Sequence, residues 1–478
     1  MYQKMANPVL YDVLLSFDKA ELRRFGKLVR SPFFTHRSEL ERMFSFLAGC
    51  LYRGRALPGK DVLFKKSFPE KTYDDLLLRA TMSDLRELME DFLIWQKLRG
   101  DKFRARLALA AQYRERNLAK FFSQTMKKAA EELDSDPYKN AEHLAQRLDF
   151  QLEKAHFQTQ TVRTAALPLQ AISNSIDLLY LAQKLRHACT QLSHQAVFKT
   201  RYDFGLLPRV LEDVETGGHL NTPAVALYYY CYRFLTEQYS LEYFRRFRAE
   251  LRQNGNAFPD GELKGLYLFA INFCIRKLNE GSEPFIREGW ELYQEGLAKG
   301  FLLEHGRLSG FTFNNVVAFG IKLEAFREVE IFIQKYRKVL EPAQQEGFVN
   351  FNLARLEYSR HQFSAALRLL QTADFKDLIN NLIAKTLQLK IYYELGEFDL
   401  LESHLDSFRT FIRRRELSDY HRANFTNIIG LVRKLTALPP GEKQAKSALR
   451  AAIENTEILT ERDWLLDMLG KTGPGSGN

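Results

Sequence analysis

The residues best equipped for chemistry lie in a few short stretches. FIRRRELSDYHR gathers Arg413, Arg414, Arg415 and Arg422 near a helix end, where guanidinium groups can bind phosphate or carboxylate. The same charges also suit a solvated surface or the negative end of a helix dipole. In HACTQLSH, His187, Cys189 and His194 are metal-ligand types, yet the histidines stand two helical turns apart and Cys189 points to another side. No metal site is expected there. HExxH, paired CxxC and GxSxG are missing from the sequence, and LGKTGPGSG has Leu465 where a phosphate-binding loop needs glycine. No catalytic group and no cofactor are expected. Cys50, Cys189, Cys231 and Cys274 stand far apart within apolar patterns, as buried free thiols do.

The elements that would position such groups are helices. Apolar residues recur at helical spacing in nearly every window, and strand-like alternation bounded by turn dipeptides is missing, which predicts an all-α chain. A length of 478 residues exceeds one compact core, so the chain is either several domains or an extended repeat array. Within residues 1–100 the periodicity predicts helices over 8–17, 18–30, 36–52, 60–67 and 72–98, with Ser16 or Asp18 as a cap and a break at Pro32. From 101 onward the pattern becomes paired helices separated by short turns. Residues 104–130 and 223–251 are candidate hairpins, and the helices around ALRAAIENTEILTERDWLLDML are a candidate terminal pair, with a disordered tail expected over 471–478.

Three turns align. Phe326, Phe363 and Phe398 each stand two residues after the turn positions Glu324, His361 and Gly396, which are separated by 37 and 35 residues. Residues 350–373 then supply Leu353, Ala354, Phe363, Ala366, Leu370 and Ala373, and the next unit supplies Tyr392, Gly396, Phe398 and Leu405. On these residues the segment 310–410 resembles the tetratricopeptide repeat family, with His361 where the family has glycine and with Leu401 and Phe408 where it has small residues. Small residues let two helices approach closely, so Ala354 and Ala366 should mark the contact line within one hairpin. The unit holding Leu401 and Phe408 should pack differently or more loosely. The resemblance implies a tetratricopeptide-like α-solenoid over 101–470, preceded by a small N-terminal helical domain over 1–100. It also implies a concave surface, formed by the first helices of successive hairpins, that binds a protein segment. The residues at groove-lining places are Asn314, Asn315 and Lys322, then Asn352, Arg355 and Tyr358, then Lys390 and Tyr393. Their donors suit an extended peptide with an acidic group.

A second function class stays open. Residues 61–93 distantly resemble the winged-helix DNA-binding domain of bacterial transcriptional activators, although Asp74, Asp75, Asp84, Glu87, Glu90 and Asp91 would crowd the helix facing phosphate. The segment resembles more closely a family of uncharacterised bacterial proteins. Net charge is +10 but regional: residues 401–450 hold ten Lys or Arg against five Asp or Glu, whereas 201–400 hold 24 against 26. Nucleic acid is therefore the alternative partner, through the N-terminal domain or residues 413–422. The longest stretch without charge, 216–232, is interrupted by Gly, His, Asn and Pro, so no membrane span is expected. The first residues lack a secretory pattern, and the cytoplasm is the expected compartment.

Overall fold

In the computed structural model, residues 8–161, 166–198, 200–236, 241–279, 282–371, 378–439 and 442–471 are described. The expected tail and Ala373 lie outside them, save Lys471. The chain is all-α, and it divides into two compact units, 1–180 and 181–478.

In the first unit, α1 (Pro8–Ser16), α2 (Lys19–Val29), α3 (Ser38–Tyr52), α4 (Lys60–Ser67) and α5 (Asp75–Gly100) share one core. Asp18 is the cap that starts α2: its carboxylate accepts from the N–H groups of Ala20 and Glu21, and the Glu21 side chain accepts from the Asp18 N–H. The long helix α5 aligns Leu78, Met82, Leu85, Met89 and Phe92 along one buried stripe, and Phe25 meets Phe92 and Phe44 at 5.5 and 4.9 Å. Next come the hairpin α6 (Lys102–Glu115) and α7 (Ala119–Ser135), the helix α8 (Ala141–Thr161), and α9 (Leu169–Phe198), within which the two units divide.

The second unit continues with α10 (Leu207–Thr216) and the hairpin α11 (Pro223–Thr236) and α12 (Leu241–Asn254). It is followed by α13 (Asp260–Asn279) and α14 (Glu283–Ala298), then by a two-residue hairpin of strands, β1 (Leu303–Glu304) and β2 (Arg307–Leu308). Among the described residues these short strands are the one pair of strands, and they turn through His305 and Gly306, both at positive φ. Four further pairs complete the unit: α15 (Gly310–Lys322) with α16 (Phe326–Tyr336), α17 (Gln345–Ser359) with α18 (Phe363–Gln371), α19 (Leu378–Glu394) with α20 (Phe398–Arg413), and α21 (Asp419–Thr436) with α22 (Lys443–Asn455). The last described helix is α23 (Arg462–Lys471).

One backbone device makes the aligned turns. Glu324, His361 and Gly396 have φ of 55°, 60° and 73°, and Asn117 between α6 and α7 repeats it at 57°. A single left-handed residue ends one helix and reverses the chain into the next. Ala354 of α17 and Ala366 of α18 are fully buried, and these two helices pack closely. Helices α19 and α20 approach each other less closely, with Leu401 and Phe408 buried in place of small residues and Phe408 reaching Phe425 of α21 at 5.9 Å.

Successive pairs are also joined by polar contacts. Arg248 of α12, 2 % exposed, donates to Glu288 and Glu295 of α14 at 3.1 and 2.7 Å, and Tyr267 of α13 donates to Glu295 at 3.0 Å. Burial pushes the Glu295 carboxyl up, but the hydrogen bonds and charge of Arg248 outweigh it and hold the group below its ordinary value.

Candidate functional site

Helices α15, α17 and α19 bring most of the groove-lining candidates onto neighbouring elements. The asparagines meet first. Asn352 donates to the Asn314 side chain at 2.6 Å and to the Phe348 carbonyl at 2.8 Å, and Asn314 donates to the Asn380 side chain at 3.0 Å. Asn352 and Asn380 are fully buried. An amide buried away from water seeks a partner, and these hydrogen bonds link three helices. They tie α15, α17 and α19 together, with Asn352 turned wholly to its neighbours and Asn314 half-buried.

Arg355 extends this network. Its guanidinium donates to the Asn314 carbonyl at 2.9 Å and the Asn352 side chain at 3.2 Å, and lies over the Phe351 ring at 5.6 Å. Burial brings its pKa down to about 10, opposed by the charge of Glu461.

One turn further along α17, and nearly three turns beyond Asn380 along α19, lies a second cluster. Lys390 holds the Glu461 carboxylate at 2.8 Å, and its ammonium sits over the rings of Tyr358 and Trp464 at 5.1 and 5.5 Å. Tyr358 and the Trp464 indole both donate to one oxygen of Glu394, at 2.9 and 3.0 Å. Tyr393 packs edge-on against Trp464 at 5.5 Å. Burial, reinforced by the Glu394 charge, pushes the Tyr358 hydroxyl well above its ordinary value, so it stays a donor throughout the neutral range.

Glu461 arrives on a segment without regular structure between α22 and α23. Asn424 of α21 accepts from the Thr460 N–H at 2.9 Å and donates to its hydroxyl at 3.1 Å, while Asn427 donates to the Ile458 carbonyl at 3.0 Å. These side-chain amides grip the backbone of the segment.

The remaining candidates lie apart. Asn315 is half-buried and hydrogen-bonded to Tyr293 of α14, and Lys322 is exposed at the end of α15. Sequence reasoning missed Asn380, Glu394, Asn424, Asn427, Glu461 and Trp464. The spacing of Glu461 and Trp464, three residues apart, is the signal that places both on one side of the chain.

The other stretches resolve into local roles. Arg422 donates to the carbonyls of Ile412 and Arg415 at 3.3 and 3.1 Å, closing the end of α20, while Arg413, Arg414 and Arg415 are exposed. Cys189 donates to the Tyr228 carbonyl and His194 pairs with Tyr202, so the two are not brought together. Asp74 caps α5, Asp75 pairs with Lys60 and Arg79, and Asp84 pairs with Arg37. Among the described residues of the first unit there is no strand to serve as a wing.

The arrangement defines an all-helical protein of packed helical hairpins, with Arg355 and Lys390 held among aromatic and acidic side chains on α17 and α19. No family model, curated protein or solved structure matches the chain.

Proposed function

We propose that this chain is a non-enzymatic interaction protein, a scaffold of tetratricopeptide-like repeats that takes an extended protein segment with an acidic group on the face of α17 and α19. One observation carries the reading: Lys390 holds this chain's own Glu461 carboxylate at 2.8 Å inside a frame made by Tyr358, Tyr393 and Trp464, a setting that suits the acid of a partner segment as well. A partly desolvated ammonium over two aromatic faces binds a carboxylate more strongly than an exposed lysine does, and the rings supply apolar area beside it. A cytoplasmic setting suits the four buried free thiols.

The test is affinity capture of partners from the native cell, followed by a binding titration with the captured protein. Lys390→Met keeps the aliphatic stem and removes the charge, and it should weaken binding by about tenfold or more, roughly 1.4 kcal/mol. Replacing the exposed Arg413, Arg414 and Arg415 with Glu should leave that binding unchanged. Equal affinity for parent and Lys390→Met would refute the reading. Loss on changing the arginines would favour nucleic acid or another acidic partner at 413–422.

A further inference from the structure

The face that should receive an acidic segment already holds one, and it belongs to this chain. Between α22 and α23 the backbone is fixed at Ile458 and Thr460 by Asn427 and Asn424, not by a helix or a strand ladder. The Glu461 carboxylate then meets Lys390, and three residues later the Trp464 ring closes over Lys390 and Tyr393. Backbone grip, acid and aromatic anchor are the parts by which a helical surface recognises a foreign segment.

We infer that Ile458–Trp464 is a built-in occupant of this face, and that the partner is a protein segment repeating its chemistry: an irregular stretch that runs into a helix, with a carboxylate at the helix start and, three residues on in its first turn, an aromatic ring. The inference rests on the acidic-segment reading above and adds who competes for the site. The side of the segment away from the face is open, with Glu457 and Thr460 exposed and the Glu461 side chain 28 % exposed. What resists displacement is α23, ten residues long, which packs against α21 and α22 and buries Trp464, Leu465, Met468 and Leu469. The grip on residues 458–461 is polar and solvent-edged, so it opens before the apolar anchor does. A partner's acid competes first for Lys390 and its aromatic residue then competes for the place of Trp464.

The experiment uses the full chain and a labelled peptide, TEILTERDWL, the chain's own residues 456–465. Glu461→Lys sets a cation beside Lys390 and should release the segment; Glu461→Gln is the milder companion should the first variant misfold by circular dichroism. Fluorescence anisotropy should show the released variant binding the peptide about tenfold more tightly than the parent. Lys390→Met in the same background should cancel the gain, and hydrogen exchange should rise at 456–461. If exchange rises but the peptide does not bind, the acidic-segment reading itself fails. Where exchange is unchanged and parent and variant bind equally well, the face is open in the parent and the built-in occupant is refuted, while the acidic-segment reading stands. Unchanged exchange with no binding makes the segment a structural cap only and refutes the inference. A dimer by light scattering in the released variant would mean that a second copy takes the face, and would likewise overturn the proposed partner.

Discussion

Between α17 and α18 the chain reverses at His361, whose φ is 60° and whose N–H donates to the Tyr358 carbonyl at 3.0 Å. The aligned glycine of the neighbouring turn, Gly396, marks the position where a left-handed residue is needed. A non-glycine residue there costs on the order of 1–2 kcal/mol in the fold, while glycine carries roughly 0.5–1 kcal/mol of extra chain freedom when unfolded. His361→Gly should therefore change stability by no more than about 1.5 kcal/mol, in the stabilising direction. His361→Pro fixes φ near the wrong sign and removes the N–H, and should cost about 3 kcal/mol or more. Urea unfolding of the two variants checks this, and equal losses would mean that the turn does not depend on the left-handed residue. The spacing of Glu324, His361 and Gly396 made this device legible, because three turns at matching offsets require one backbone solution. The partners of the groove residues were not legible. Lys390 and Glu461 are 71 residues apart and Asn314 and Asn380 are 66 apart, separations that no local periodicity reports.

The helices themselves follow from local pattern, as α1 to α5 show by ending within a few residues of the expected limits. What the pattern leaves open is how tightly two helices meet. Ala354 and Ala366 were expected at a close contact; both are fully buried, and α17 and α18 pack closely. Ala366→Leu should overpack that contact and destabilise the fold by about 1–3 kcal/mol. The exposed Ala451 of α22 should accept leucine at a cost within about 0.5 kcal/mol. Thermal unfolding compares the two, and an unshifted transition for Ala366→Leu would show that the small residue is not needed there. The same physics explains why Arg355 is a poor probe of binding although it stands among the groove-lining places. Its guanidinium is committed to Asn314 and Asn352, so a carboxylate introduced there would disturb the fold as well as any ligand. Lys390 is likewise held, by Glu461 and the rings of Tyr358 and Trp464, so a loss of binding in Lys390→Met is read beside its unfolding transition.

For the chain as a whole, composition settled class more readily than role. High apolar and aromatic content with helical spacing throughout forecast an all-α protein, and no described helix is long and apolar enough to cross a membrane. Net charge did not settle the partner, because its regional excess is divided between capping contacts such as those of Arg422 and exposed arginines without a common pocket. The most direct measurement is a hydrogen-exchange footprint of the full chain with its captured partner bound. The acidic-segment account predicts slowed exchange along the partner-facing positions of α17 and α19, residues 345–359 and 378–394, with faster exchange at 456–461 as the built-in occupant leaves. Protection confined to residues 8–100 or 413–422, with α17 and α19 unchanged, would contradict it.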